Sequence, residues 1–400
     1  MIKFNVPAIV LGGGINGLGI VRNLGKEGID VYCVVDRIDP VAFSKYCRKH
    51  FVIPDFRERK DLIKSFLTEF SKQIKNRVVV FSTDDVCTLV LSDLQCEMKD
   101  DYYFVVPERE VAEKLVVKRK FYESLIRNKV PHPRVIIPTK VDDVKSVGKE
   151  FEYPIFIRPS ISQYFSKVFR KKGFVANSER ELTEYYHLAS KHEIDVIFQE
   201  IVPGHDRNIY GVSGFFDRRS KPLALFAYRR LRGWPLMFGT NSLIESVALS
   251  KLPSLKENTI RYLAGLGYYG IMEAEFKQDP RDGIFKLLEI NARSWWQNSF
   301  PTKCGLNIIL KAYLYAIGEK VEYSENYTTG VKWINFLNDI RSSIWSKEIM
   351  KKGWMSSLTK VRDWAFFDNS DPLPFAFNFL CESHELLFSH RNFVQTSSHN

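Results

Sequence analysis

The chain has 400 residues, 45% hydrophobic and 26% charged, an ordinary globular composition that supports two or three cores rather than one. With 58 Lys and Arg against 47 Asp and Glu the formal net charge is +11, which favours anionic ligands. The basic residues are spread along the chain apart from RKK at 170–172 and RRLR at 229–232, so a nucleic-acid-binding stripe is not expected. Six cysteines without a CxxC or zinc spacing read as reduced thiols. No leader pattern and no apolar run of membrane-spanning length is evident, so a cytoplasmic protein is expected.

In chain order, PAIVL (7–11) predicts a buried strand, 16–27 a helix and DVYCVVD (30–36) a second strand. Residues 60–75 read as a helix, RVVVFST (77–83) as a strand, DDVCTLVLSDL as the start of a helix and YYFVVP (102–107) as a short strand. This alternation predicts a parallel sheet covered by helices, ending near Pro107. Between the first strand and helix, GGGINGLG places Gly12, Gly14 and Gly17 in a G-x-G-x-x-G pattern, and Asp36 closes the next strand. That is the dinucleotide fingerprint, although free N–H groups at a helix start bind any anion.

A helix is expected over 108–128, followed by the proline-punctuated VPHPRVIIP. FEYPIFIRPS (151–160) reads as a strand, SERELTEYYHLASK (178–191) as a helix with a serine cap, and DVIFQEIVPG (195–204) as a strand ending in a turn. IYGVSGFFD and PLALFAYRRLRG predict antiparallel strands, and LPSLKENTIRYLAGLGY a helix. GIMEAEFKQDPRDGIFKLLEINAR reads as a hairpin with DPRDG at its tip, and CGLNIILKAYLYAIGE as a further helix. The middle region is thus α+β. Residues 321–400 lose periodicity and read as an appendage.

The hairpin carries the chemical signal. In LLEINAR, a period of two puts Glu289, Asn291 and Arg293 on one face and Leu288, Ile290 and Ala292 on the other. Glu273 and Glu275 share a face of the preceding strand. A hairpin centred on Arg281 sets Glu289 opposite Glu273, and a slipped register sets it opposite Glu275. Either way like charges meet across the ladder and need compensation. A hard cation such as Mg²⁺, which takes one or two carboxylates plus phosphate oxygens, supplies it.

This hairpin resembles the metal-binding hairpin of the ATP-grasp superfamily, and the ordered set of motifs around it is similar to D-aspartate ligases and the ATP-grasp domains of carbamoyl phosphate synthetases. The resemblance covers roughly 7–320. It implies that Glu275, Glu289 and Asn291 bind magnesium ions bridging ATP phosphates, and that Arg293 stabilises the charge of acyl-phosphate chemistry. It further implies that Lys118, Arg158 and Lys167 contact phosphates. Gln199, Glu200 and Val202 would contact adenine, and Asp206 would hold the ribose. Arg230 and Arg232, which share a strand face, would meet an anionic substrate or the terminal phosphate, and Gly13 and Gly14 would help form the acceptor pocket. Arg158 stands where the family has a lysine, and SISQYFSK, the expected phosphate-covering loop, has no glycine before Gly173.

The fold so implied is an α/β Rossmann-like domain over 1–107 and an α+β ATP-grasp domain of two subdomains, 108–198 and 199–320, with the appendage 321–400. The activity implied is ATP-dependent coupling of a carboxylate, by way of its acyl phosphate, to an amine, with release of ADP and phosphate. Its partners would be small-molecule substrates, with neither nucleic acid nor membrane, and a homodimer is allowed. Two other readings stand beside it: a dinucleotide-dependent oxidoreductase and a non-catalytic nucleotide-binding protein.

Overall fold

The computed structural model describes residues 5–57, 59–139, 143–144, 147, 151–236, 239–347 and 353–382. Its first unit alternates β1 (Ala8–Leu11), α1 (Gly14–Gly25), β2 (Val31–Val35), β3 (Cys47–Val52), α2 (Lys60–Gln73), β4 (Val78–Ser82), α3 (Asp85–Leu94) and β5 (Tyr102–Phe104). The strands form a parallel sheet in the order β3-β2-β1-β4-β5. Every residue of β1 and β4 is buried, as expected of strands covered on both faces. β3 is absent from the sequence expectations because CRKHFV has little apolar content. It is an edge strand, and the exposed Arg48 and Lys49 deter further pairing. Strand order reverses between β1 and β4, so their carboxyl ends frame the crevice where this architecture takes ligands.

The helix expected over 108–128 is two helices, α4 (Arg109–Val116) and α5 (Lys118–Arg127), separated by an extended Val117 (φ −80°, ψ 109°). This break puts Lys118 at a helix start, with its backbone N–H on the Ser160 carbonyl at 2.9 Å. An antiparallel sheet follows, β6 (Val135–Ile136), β7 (Ile155–Pro159), β8 (Phe174–Ala176) and β9 (Val196–Glu200), in the order β6-β9-β7-β8. Between its strands lie α6 (Ser162–Phe169) and α7 (Glu179–Lys191), the latter capped by the Ser178 hydroxyl. The phosphate-covering loop expected at SISQYFSK is instead α6. Without glycine nothing breaks the helix, and Phe165 and Phe169, four residues apart, pack on Phe174 with ring centroids 4.9 and 5.1 Å away.

The largest sheet has seven strands in the order β14-β13-β10-β11-β12-β15-β16. They are β10 (Ile209–Phe216), β11 (Pro222–Trp234), β12 (Thr240–Val247), β13 (Gly270–Gln278), β14 (Phe285–Asn291), β15 (Lys332–Ile334) and β16 (Val361–Trp364). Along β11 the faces alternate. Phe226 and Tyr228 join a core that contains Val10 and Cys33 of the first sheet, with Phe300 and Ile309, whereas Leu225 and Ala227 join a core with Leu115, Phe121 and Leu263. Helix α8 (Pro253–Gly265) covers the second face; α9 (Ser299–Lys303) and α10 (Ile308–Ala316) cover the first.

Residues 321–400 do not form a separate appendage over their described part. They supply β15 and β16 to the seven-stranded sheet, the helices α11 (Phe336–Trp345) and α12 (Gly353–Ser357), and a helical stretch over 373–382. Beyond them, Asp371 receives Arg22 Nε of α1 at 2.9 Å and the Ser44 hydroxyl at 2.7 Å, and Asp368 receives Lys26 at 2.6 Å. Residues 383–400 lie outside the described residues. No described helix is long and apolar enough to cross a membrane.

Candidate functional site

Hairpin β13–β14 adopts the slipped register: Glu275 pairs with Glu289 and Glu273 with Asn291. The slip comes from a bulge, since Phe276 pairs with Leu287 and Leu288 is left without a partner in the ladder. Leu288 therefore departs from the apolar face expected for it. Leu287, Ile290 and Ala292 are core residues, whereas Leu288 lines a cavity of roughly 1440 Å³ together with Glu289, Asn291 and Arg293. The Leu288 carbonyl accepts from Tyr122 Oη at 3.0 Å and Arg158 Nη1 at 3.4 Å.

The opposed carboxylates are compensated by cations from three elements. Glu289 accepts from Arg158 of β7 and lies 3.5 Å from Lys118 Nζ. Burial alone would raise its pKa, but Lys118, Arg158 and Lys172 drive it far below the carboxylate range. Glu275 pairs with Arg230 of β11 at 2.8 Å; there burial outweighs the arginine and the pKa is raised. Glu273 accepts from Tyr228 Oη at 2.6 Å, Gln297 Nε2 at 2.7 Å and Asn291 Nδ2 at 3.1 Å. Burial pushes it up to about 7. Arg293 crosses to Asp85 at the start of α3, at 2.8 Å, and donates to Asn291 Oδ1 at 3.1 Å.

The remaining expected nucleotide contacts separate into groups. Gln199, Val202 and Asp206 line the cavity, with Gln199 Oε1 held by Tyr122 Oη at 3.2 Å. Glu200 also lines it, yet its carboxylate accepts from the Arg134 N–H at 2.9 Å, Lys286 Nζ at 3.0 Å and Arg281 Nη2 at 3.1 Å. These contacts commit the Glu200 side chain, so only its backbone is offered to a base. Burial would raise the Glu200 pKa, but these three donors hold it at about 2. A depressed acid stabilises the fold above its unfolded value and loses that contribution as pH falls through the folded one. Stability is therefore expected to drop by up to about 3 kcal/mol between about pH 4.5 and pH 2 through this group. Urea midpoints across that range should show a shallower acid limb in Glu200→Gln.

Ser166 and Lys172 line the cavity, whereas Lys167 is exposed on α6 and is not part of its wall. Arg230 and Arg232 both line it, but Arg232 is locked in a two-pronged pair with Asp339 of α11, both contacts at 2.8 Å. Gly13 and Gly14 are not among the cavity residues. The Gly14 N–H donates to Asp39 Oδ2 at 2.9 Å, so the anion position at the start of α1 is filled by the chain's own carboxylate. Asp36 pairs with Arg57 at 2.8 Å. The glycine motif thus shapes a turn and presents no open dinucleotide cradle.

Thr83, Asp84 and Asp85, just past β4, bring the switch-point crevice of the first sheet into the same cavity. Sequence reasoning misses them, as it misses Arg57, because no motif lies beside them; it also misses Tyr228 and Gln297, which adjoin the RRLR run and the LLEINAR row but have no spacing that marks them. Lys172 belongs to a visible basic run, and Glu273 to the visible acidic face. Trp295 and Trp296 are cavity residues, Trp295 being also a core residue. Among the described residues no group of three or more His, Cys, Asp or Glu side chains could hold a metal. Two carboxylates facing each other beside an amide nevertheless suit Mg²⁺, whose remaining ligands are phosphate and water oxygens.

No family model matches the chain. It is 27% identical over 323 residues to a curated D-aspartate ligase of Enterococcus faecium (strain Aus0004), covering 75% of this chain and 74% of that protein. Among solved structures it is similar to N5-carboxyaminoimidazole synthetase from Staphylococcus aureus, with a TM-score of 0.67 and 14% identity over 88% of this chain and 87% of that one. It is also similar to a biotin carboxylase–β-γ-ATP complex from Campylobacter jejuni, with a TM-score of 0.64 and 16% identity over 82% and 75% of the two chains.

Proposed function

We propose that this chain, an ATP-grasp enzyme of the carboxylate–amine ligase kind, phosphorylates a substrate carboxylate with ATP and passes the resulting acyl group to an amine, releasing ADP and phosphate. The observation that carries this reading is the pair Glu275 and Glu289, facing each other across a hairpin and met by Arg230, Arg158 and Lys118 from separate strands and a helix. Such a set of opposed charges suits a polyphosphate and its counter-ion, which can exchange partners with both.

When bound, Mg²⁺ supplies charge neutralisation at the phosphate oxygens, and Glu275, Glu289 and Asn291 would hold it. Lys118 and Arg158 turn from Glu289 to the phosphates. Arg293, steadied by Asp85, supports the negative charge that develops on the transferring group. Gln199, the backbone after Glu200, and Asp206 orient the nucleoside. Catalysis then consists of positioning and fixed charge, without a protein nucleophile. The relative's name makes D-aspartate the first carboxylate to try.

The test is ADP release with D-aspartate and other amino-acid carboxylates, using hydroxylamine to trap any acyl phosphate as the hydroxamate, with product masses measured. ADP release coupled to hydroxamate is expected. Nucleotide binding with no carboxylate-dependent ADP from any member of the panel would overturn the ligase reading.

A further inference from the structure

The resemblance assigns Glu275 and Glu289 but gives Glu273 no role, and the structure makes Glu273 conspicuous. Seven acids line the cavity: Asp84, Asp85, Glu200, Asp206, Glu273, Glu275 and Glu289. Five of them have a Lys or Arg within 3.5 Å among the described residues. Asp206, only partly buried, and Glu273, 6% exposed, do not. Glu273 is held by neutral donors alone: Tyr228 and Gln297 on Oε1 and Asn291 on Oε2. A carboxylate can accept about four hydrogen bonds, so Oε2 retains acceptor capacity. Arg293 acts on it only at a distance, from the far side of Asn291, and a buried carboxylate hydrogen-bonded by neutral groups alone is costly unless a cation is brought to it.

Its place along β13 says which cation. Lys277, Glu275 and Glu273 all line the cavity, at steps of two residues, or about 6.7 Å each. Lys277 feels the charge of Asp206 and marks the nucleoside end. Glu275 lies in the phosphate row. Glu273 is one step further, toward the first sheet and beyond the terminal phosphate, where a second substrate must approach an acyl phosphate. Trp295 and Trp296 line the same cavity immediately before Gln297, and aromatic rings favour a neighbouring ammonium. We propose that Glu273 anchors the ammonium group of the amine substrate, with Gln297 and Tyr228 fixing the carboxylate in place. The assignment rests on the ligase reading for the identity of the ligand.

The experiment titrates the MgADP-bound protein with n-butylammonium, a primary ammonium without a carboxylate, following tryptophan fluorescence, with n-butanol as the neutral control. A saturable response to n-butylammonium and none to n-butanol is expected. Glu273→Gln should weaken n-butylammonium at least tenfold, and Glu273→Asp, which keeps the charge, by less; both should bind MgADP within twofold of wild type. An unchanged n-butylammonium response in Glu273→Gln overturns the proposal, as does a wild-type protein that gives no response. An equal loss of MgADP affinity also overturns it, because Glu273 would then serve the metal. Should Glu273→Gln not fold, an Asp variant indistinguishable from wild type overturns it instead. Failure of the ligase reading would look different: no carboxylate-dependent ADP release by the wild type, with n-butylammonium binding intact.

Discussion

Glu289→Ala is expected to lower carboxylate-dependent ADP release at least a hundredfold, equivalent to about 3 kcal/mol of transition-state stabilisation. Glu289 is where Lys118 of α5, Arg158 of β7 and strand β14 meet. Its loss removes one of two facing carboxylates and leaves two cations, Lys118 buried and Arg158 nearly so, without their acid. The nucleotide-free variant should therefore also be less stable in urea, because an unpaired buried charge is strongly unfavourable. ADP without magnesium should stabilise the variant more than it stabilises wild type, since its phosphates replace the missing carboxylate opposite Lys118 and Arg158. Activity within tenfold of wild type would remove Glu289 from the metal site. An equal response of both proteins to ADP would remove Lys118 and Arg158 from the phosphate site.

Asp339→Ala is expected to destabilise the protein by about 3–5 kcal/mol, the range for breaking a buried ion pair from one side. Asp339 is fully buried and Arg232 is 5% exposed. Besides Arg232, Asp339 accepts from Trp354 Nε1 at 3.2 Å and the Ser242 hydroxyl at 3.3 Å, so three donors lose their acceptor at once. Replacing both partners of the pair by apolar residues, Arg232→Met with Asp339→Leu, should recover most of the loss. The double variant also separates two roles for Arg232. With its guanidinium committed to Asp339, the folded double variant is expected to bind MgADP within a few-fold of wild type. Urea midpoints and nucleotide titrations decide both points, and a double variant as unstable as the single one would contradict the ion-pair account.

The acidic row was legible because strand periodicity is two and does not depend on context: Glu289, Asn291 and Arg293 could be placed on one face from spacing alone, with Glu273 or Glu275 opposite, and the resemblance pointed to Glu275. The bulge at Leu288 was not, since one extra residue in a strand changes register without changing composition. Helix α6 was hidden by a resemblance that led toward a loop, although Phe165 and Phe169 already stood at helical spacing. β15 and β16 are too short to show a period. The fate of Gly14 depended on Asp39, 25 residues away, and no local pattern says that this carboxylate folds back onto the turn. Glu273 was visible as a residue, but that only neutral side chains hydrogen-bond it is a property of the folded cavity.

The tie between Arg22 and Asp371 spans 349 residues, and β15 and β16 close the side of the seven-stranded sheet that β12 would otherwise terminate. A chain ending at residue 320 would leave β12 with a free row of backbone donors and acceptors, a template for pairing with other molecules. It would also strand the buried guanidinium of Arg22 inside the first unit. Such a chain should self-associate rather than form a smaller enzyme. The limits of an independently folding unit here follow from which strand edges are covered, and a change in sequence texture near 321 does not mark one.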